Sequence, residues 1–134
     1  MARRIAALAV LLWIASFAVA TAQGNAWTLP ASAATEKNPV AVDAATLAAG
    51  RRLFRENCAR CHGPQGKGNG SDADPKHRHH MDLTRADADD AEGILFHKIW
   101  NGRDKPKMPA FKDKLTKEQV WTLVAFAQSL REKS

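Results

Sequence analysis

The sequence predicts an all-α domain of three to four helices. Apolar residues recur at helical spacing in three segments, and each segment is bounded by residues that cap or stop helices. No segment after residue 58 has the pattern of a parallel strand. With 134 residues the chain has room for one domain, and the first stretch of it does not belong to the fold.

The first helix is predicted to begin after Asp43, whose carboxylate can cap it. Leu47, Gly50 and Phe54 then fall on one face, and the helix runs directly to Cys58. A glycine inside a helix costs about 1 kcal/mol relative to alanine. Gly50 therefore indicates that another helix approaches closely at this point.

The approaching helix is predicted at the end of the chain. Thr116 and Gln119 form a capping box, which marks its start. Its apolar residues follow the i, i+3, i+4, i+7 pattern: Val120, Leu123, Val124, Ala127 and Leu130.

A third helix is predicted between these two. It starts around Asp87, because the acidic residues there suit the positive end of a helix dipole. Its apolar residues are Ile94, Leu95, Ile99 and Trp100. Asn101 and Gly102 are expected to stop it.

The chain is predicted to begin with a secretory signal at residues 1–22. Arg3 and Arg4 are its basic start, residues 5–19 are apolar or small, and Ala-Thr-Ala at residues 20–22 is a cleavage pattern. An uncleaved membrane anchor is the alternative. Residues 23–42 lack a period and are interpreted as a flexible lead-in, so that the folded domain comprises residues 43–134.

Cys58, Cys61 and His62 form the motif C-x-x-C-H, which is typical of covalent haem attachment. One helical turn lets two cysteines reach two vinyl groups of one porphyrin, while the histidine faces the iron. A domain of this size has a small hydrophobic core and usually needs additional stabilisation. One covalently attached haem c would supply it. Apolar residues available to pack it are Phe54, Leu83, Ile99, Trp100, Phe111, Leu123 and Phe126.

Other interpretations of the cysteine pair demand more from the chain. A four-ligand zinc site needs a second ligand pair, and the sequence has no third cysteine. A thioredoxin-like pair needs a βαβ context. A structural disulfide between Cys58 and Cys61 stays possible in an oxidising compartment.

The predicted sixth ligand of the iron is Met108. It precedes a proline in residues 103–114, a segment without helical period that is long enough to cross the haem face opposite His62. Met81 is the rival. Residues 63–81 are interpreted as a loop, whose glycines are expected to let backbone pass close to the porphyrin.

Charge excludes one class of function. The whole chain carries +6, and without the signal 18 basic side chains face 14 acidic ones, which is too mild for a nucleic-acid binder. Acidic residues cluster at residues 82–92. Lysines surround Met108, namely Lys105, Lys107, Lys112, Lys114 and Lys117. They are either a solvated face or a docking surface for an acidic redox partner.

Several motifs in order resemble the class I c-type cytochromes, in particular their small periplasmic monohaem members. The resemblance spans residues 43–130 and includes C-x-x-C-H-G at residues 58–63, Asp-Leu-Thr at 82–84, Asn-Gly at 101–102 and Met-Pro-Ala-Phe at 108–111. It implies three helices around one haem, with Cys58 and Cys61 as thioether anchors and His62 and Met108 as axial ligands. It also implies a proline carbonyl that orients His62, for which Pro75 is the candidate.

The resemblance implies one-electron transfer in the periplasm, by a carrier rather than an enzyme. Three points stay open. The chain could be the electron-accepting subunit of a periplasmic dehydrogenase or oxidase complex. It could instead be a haem enzyme or gas sensor with an open sixth position, served by His97 or by His77, His79 and His80. Those three histidines are otherwise a solvated loop, a surface metal site or alternative iron ligands.

Overall fold

The computed structural model describes residues 27–85 and 91–131, so the predicted signal lies outside the described residues. The fold is all-α, as predicted, and the part of the chain that the structure describes contains no strand, only two isolated β-bridges. Its α-helices are α1 (Ala44–Asn57), α2 (Ala59–His62), α3 (Arg78–Met81), α4 (Glu92–Asn101) and α5 (Lys117–Ser129). Two 3₁₀ turns, Ala31–Ala34 and Pro75–His77, complete these elements.

The pairing of α1 with α5 confirms the prediction made from Gly50. Asp43 caps α1 by accepting a hydrogen bond from the amide of Thr46 at 2.8 Å. A Cβ on Gly50 would lie 2.6 Å from Cβ of Phe126 and 2.8 Å from the carbonyl oxygen of Thr122. Only a residue without a side chain allows α5 to come this close.

α5 is buried on all sides over most of its length, as expected of a helix at the centre of a domain. The predicted capping box of Thr116 and Gln119 is present at its start. One face of α5 packs with Phe54 in a first apolar cluster, and another face places Trp121 against Phe96, with ring centroids 4.3 Å apart. The periodic pattern of the sequence predicts a single apolar face for α5, so it indicates no role for Phe96 or Trp121.

α4 ends where predicted and begins later than predicted. Gly102 adopts φ +65° directly after it, and its amide bonds to the carbonyl of Lys98 at 3.0 Å. The helix begins at Glu92, because Ala91 before it has an extended backbone. The predicted start, Asp87, lies outside the described residues.

Residues 27–42 were expected to be a flexible lead-in, and the structure differs. The turn Ala31–Ala34 packs on α4 and buries Ala33. Asn38 donates a hydrogen bond from its side chain to the carbonyl of Trp121 at 2.9 Å. Specific hydrogen bonds fix this segment, and such bonds leave no periodic signal in a sequence.

Among the described residues, no helix is both long and apolar enough to cross a membrane.

Candidate haem-binding site

The C-x-x-C-H motif forms a helical turn that continues α1. The amide of Cys58 bonds to the carbonyl of Phe54 at 2.8 Å, which is the last α-helical bond of α1. The amide of His62 bonds to the carbonyl of Cys58 at 2.9 Å, so α2 starts at once. The two cysteines and the histidine are therefore presented by one short turn, as the sequence predicts.

The chain after α2 turns back and saturates the carbonyl end of that helix. Amides of Gly68, Gly70 and Asp72 donate to the carbonyls of His62, Cys61 and Arg60, at 2.8, 3.3 and 2.7 Å respectively. The last carbonyls of a helix have no partner within it, so these bonds replace the water that would otherwise be needed. The three motif residues are held by backbone as well as by their own helix.

The glycines of this loop make room for polypeptide, a role that the sequence did not predict. A Cβ on Gly68, whose φ is +69°, would lie 2.6 Å from the carbonyl oxygen of Arg78. A Cβ on Gly70 would overlap the carbonyl oxygen of Arg60. Residues 63–81 are also not all loop, since they contain the turn Pro75–His77 and helix α3.

His62 is oriented by Met81 and not by Pro75. Its Nδ1–H donates to the carbonyl oxygen of Met81 at 2.8 Å, 19 residues further along the chain. Pro75 instead begins the 3₁₀ turn next to α3. A carbonyl at the end of a short histidine-rich helix has no distinguishing side-chain signal, so sequence analysis could not identify this partner.

The hydrogen bond fixes which ring nitrogen of His62 is available. Because a carbonyl oxygen only accepts, Nδ1 carries the proton, and in the neutral ring Nε2 keeps its lone pair for a metal. Burial lowers the pKa of His62 below its ordinary value of 6.5, although the bond to Met81 opposes this. Burial is the larger effect and favours the neutral imidazole, while the bond to Met81 orients the ring.

The two thiols are free and lie in different surroundings. Cys58 packs beside the apolar cluster of Phe54, Leu123 and Phe126, together with Leu83 and Ile99. Burial raises the pKa of Cys58 to about 12, and the ammonium of Lys114 partly opposes this rise. Cys61 Sγ lies 4.0 Å from the carbonyl oxygen of Asp72. Two free thiols, a neutral imidazole and an adjacent apolar surface fit a covalently bound haem.

Met108 lies on a different segment from the motif. Arg103 and Met108 exchange two backbone hydrogen bonds of 2.8 Å, which close a small loop directly after α4. The segment then follows α4 again, because the amide of Phe111 donates to the carbonyl of Ile99 at 3.2 Å. It ends near the motif, since Lys114 acts electrostatically on Cys58.

The histidines outside the motif have local partners. His77 donates from Nδ1 to the carboxylate of Asp74 at 2.8 Å, and the rings of His79 and His80 meet edge to face with centroids 5.6 Å apart. His97 donates from Nε2 to the carboxylate of Glu36 at 2.8 Å. Within residues 27–85 and 91–131, no group of three or more histidine, cysteine or acidic side chains could hold a metal ion.

Comparison with known proteins gives one family and one fold. The family model described as "Cytochrome C oxidase, cbb3-type, subunit III" matches residues 45–126, more than half of the chain. No curated protein matches the sequence.

A solved structure, from the reducing HAO-like protein complex of Kuenenia stuttgartiensis, matches the fold with a TM-score of 0.55 and 21% sequence identity. The match covers 70% of this chain and 47% of that one, so this chain spans about half the length of the protein it matches.

Proposed function

Because the chain belongs to the family of cytochrome c oxidase, cbb3-type, subunit III, we propose that it carries single electrons on a haem c held by Cys58, Cys61 and His62. The observation that carries this proposal is the bond from His62 Nδ1 to the Met81 carbonyl. It leaves Nε2 of a half-buried imidazole as the metal-binding atom, within one turn of two free thiols. Haem c, when bound, supplies an iron that takes up and releases one electron.

The chain's own residues account for the attachment. Each thiol of Cys58 and Cys61 would add across one vinyl group, forming a carbon–sulfur bond while its proton goes to the other vinyl carbon, so no oxidant is needed. Apolar side chains that are only partly buried, namely Leu83, Ile99 and Leu115, pack with Cys58 against the buried cluster, and they offer the apolar surface that a porphyrin requires. A fixed proximal ligand keeps the geometry constant when the charge of the iron changes.

Met108 is proposed as the second axial ligand, and the position of Met81 supports it. The Met81 carbonyl occupies the Nδ1 side of the His62 ring, whereas the metal belongs on the Nε2 side. Met81, whose carbonyl is bonded to Nδ1, would lie on the opposite side of the imidazole from a metal on Nε2, and this favours Met108 over Met81 as the second ligand. Methionine sulfur opposite histidine raises the reduction potential relative to two histidines.

The test of this ligation is the spectrum of the reduced holoprotein before and after carbon monoxide is added. The wild-type protein should be low-spin and unchanged by carbon monoxide, and Met108→Ala should bind it. Met81→Leu is the matched control, because it removes the other sulfur and keeps the carbonyl that holds His62. A spectral shift in the wild type would instead support a haem enzyme or gas sensor with an open sixth position.

The partner is proposed to be an acidic redox protein that docks around the Met108 segment. Lys105, Lys107, Lys112 and Lys114 are all exposed, and the ion pairs that the described residues form do not include them. Unpaired lysines on one segment create a positive field that accelerates encounter with an anionic surface. The carrier would thus receive or deliver its electron at the Met108 side.

A subunit of a larger redox complex is the second candidate function. It is favoured by the matching family, which is described as an oxidase subunit, and by the matching structure, which comes from a protein complex. Purification from the native source separates the two candidates. A stable, stoichiometric partner would support the subunit, and a monomeric holoprotein would support the free carrier.

Export to the periplasm is part of the proposal. Residues 1–22 have the features of a signal, and haem attachment of this type takes place on the outer side of the membrane in the resembling family. The intact mass of the holoprotein decides the processing. A mature chain starting at Gln23 supports a cleaved signal, whereas a full-length chain supports an anchor.

A further inference from the structure

The segment before α1 runs antiparallel along α4, and we call its residues 27–38 the strap. At the start of α4, the strap is fixed by Asn38, whose backbone amide donates to the carboxylate of Glu92 at 3.1 Å. Further along, the amide of Gly93 donates to the carbonyl of Glu36 at 3.2 Å, and a Cβ on Gly93 would overlap the carbonyl oxygen of Ala33. The strap is therefore held tightly against the first turn of α4.

The other end of the strap reaches past the end of α4. Asn101, the last residue of that helix, donates to the carbonyl of Thr28 at 3.5 Å. Trp27 then lies under two cations: the guanidinium carbon of Arg103 is 4.1 Å from its ring centroid, and the Lys98 nitrogen is 5.4 Å from it. A guanidinium at this distance over indole is attracted by the negative face of the ring.

Arg103 is also the residue that closes the loop carrying Met108. Its backbone exchanges both hydrogen bonds with Met108, and its Nε–H donates to the carbonyl of Pro106 at 3.2 Å. The guanidinium therefore contacts the loop through one atom and the Trp27 ring through its face. Partial burial lowers the pKa of Arg103 below its ordinary value.

We propose that the strap is a positioning element for the axial methionine: Trp27 holds Arg103, and Arg103 holds the loop so that Met108 stays on the iron. Trp27 is a positioning residue, because it acts through Arg103 and not on the haem. This inference rests on the proposed ligation by Met108. Without the ring, Arg103 gains conformational freedom, and the loop populates arrangements that release the sulfur.

The test is the affinity of the ferric holoprotein for imidazole, which must displace Met108 to bind. We expect Trp27→Ala to bind imidazole about fivefold more tightly, which corresponds to about 1 kcal/mol, the order of one cation–π contact. The charge-transfer band of methionine bound to ferric iron should weaken in the same variant. Trp27→Phe keeps an aromatic face and should stay within about twofold of the wild type.

Asn38→Ala is the control for a merely structural role. It removes the side-chain bonds of Asn38 at the far end of the strap, to the Trp121 carbonyl and from the Val40 amide, and leaves the contact between Trp27 and Arg103 intact. It should lower thermal stability without raising the imidazole affinity. Equal affinities for Trp27→Ala and Asn38→Ala would overturn the proposal.

A double-mutant cycle tests whether Trp27 acts through Arg103. Arg103→Lys loses the planar stack and the Nε bond, so it should also bind imidazole more tightly. If both residues act along one path, Trp27→Ala added to Arg103→Lys gives no further increase, whereas independent effects would multiply and contradict the proposal. Should Trp27→Ala fail to fold, the same comparison with Trp27→Leu applies.

Failure of the ligation and failure of the positioning give different results. If the wild-type ferric protein lacks the methionine band, Met108 is not the ligand and both proposals fall. If the wild type has the band and Met108→Ala loses it, but every Trp27 variant binds imidazole like the wild type, only the positioning role is wrong.

Discussion

The chain on the His62 side of the site is held by successive backbone bonds, whereas the chain that carries Met108 is held at two separate places. We call residues 58–83 the proximal segment and residues 103–114 the distal segment. In the proximal segment, three amides return to α2, and the amide of Leu83 bonds to the carbonyl of Gly66 at 2.7 Å. The distal segment is joined at the pair Arg103 and Met108, and again where the amides of Phe111 and Lys112 donate to the carbonyls of Ile99 and Trp100.

This difference indicates that the two proposed axial ligands, His62 and Met108, are controlled differently. The direction of His62 is fixed by its own helix, by the backbone amides that donate to the carbonyls of that helix, and by the Met81 carbonyl. The position of Met108 depends on one small loop and on what supports Arg103. Changes in the proximal segment should therefore destroy the site, while changes in the distal segment should adjust it.

The largest effect should come from Gly68→Ala in the proximal segment. The positive φ costs a non-glycine residue roughly 1–2 kcal/mol. The new Cβ would also lie 2.6 Å from the Arg78 carbonyl, and that backbone cannot move without disturbing Met81. We expect a total loss of about 3 kcal/mol in the free energy of unfolding, with little holoprotein formed.

Denaturant unfolding and the yield of attached haem measure this effect. Gln65→Ala is the control, because Gln65 is an exposed residue of the same loop. If Gly68→Ala matched Gln65→Ala in both measurements, the backbone contact with Arg78 would not matter to the site.

The second-largest loss of stability should come from Gly102→Ala in the distal segment. Its φ is +65°, and a Cβ there would lie 2.5 Å from the Met108 carbonyl and 2.6 Å from the Ala110 amide nitrogen. The contacted backbone belongs to the loop itself, which can shift as a unit. We expect about 2 kcal/mol of lost stability and a weakened methionine band, with haem still attached.

The comparison of Gly102→Ala with Gly68→Ala decides whether the two segments differ. If Gly102→Ala retains attached haem and Gly68→Ala loses it, the two segments differ as expected. Loss of attachment in both would mean that the distal segment is as rigidly required as the proximal one.

Sequence patterns were sufficient for the scaffold. The Asp43 cap, the close approach at Gly50, the capping box at Thr116 and the stop at Gly102 were all predicted and confirmed. Each is a local or periodic feature, in which residue type and spacing have one physical meaning. The haem motif is of the same kind, because its spacing follows from one helical turn.

The contacts that orient the ligands could not be predicted in the same way. The Met81 carbonyl is a backbone group, and every residue has one, so no side chain marks it in the sequence. The family resemblance implied the carbonyl of Pro75 instead. The strap depends on single contacts of Trp27 and Asn38 with distant residues. Such contacts are set by tertiary packing, and the polar, aperiodic composition of residues 23–42 indicated a lead-in instead.

A smaller effect should follow from charge on the distal segment. Lys107→Glu reverses one exposed cation beside Met108, and Lys76→Glu makes the same change in the proximal segment. With ferricyanide as oxidant, the distal variant should react at least about twofold more slowly at low salt, because the anion is no longer attracted to this face. The difference should disappear at high ionic strength.

Equal rates for Lys107→Glu and Lys76→Glu would mean that the electron does not leave at the distal side. A cationic cobalt complex is the second probe, and it should oxidise Lys107→Glu faster than Lys76→Glu. If these two rates were also equal, the conclusion would not depend on the charge of the probe.

The smallest effect should be the acid dependence contributed by Asp82 in the proximal segment. Its carboxylate accepts from the hydroxyl of Thr84 at 2.6 Å and from the amide of Thr84 at 3.0 Å, and these bonds lower the pKa of Asp82 below its ordinary 3.8. A carboxyl whose folded pKa is lowered stabilises the fold fully above its unfolded pKa, and this contribution is lost as the pH falls through the folded pKa. Because the group is well solvated, the contribution should be about 0.5 kcal/mol or less.

Asp82→Asn should therefore be slightly less stable than the wild type at neutral pH, and the two should converge below about pH 4. Denaturant midpoints of the holoproteins at neutral and acid pH measure this, and Asp113→Asn makes the same charge change in the distal segment. Asp113 accepts none of the hydrogen bonds described above, so its variant is the control for the change in net charge alone. If both variants followed the same pH dependence, the effect would be one of net charge, and the bond between Thr84 and Asp82 would not distinguish the proximal segment from the distal one.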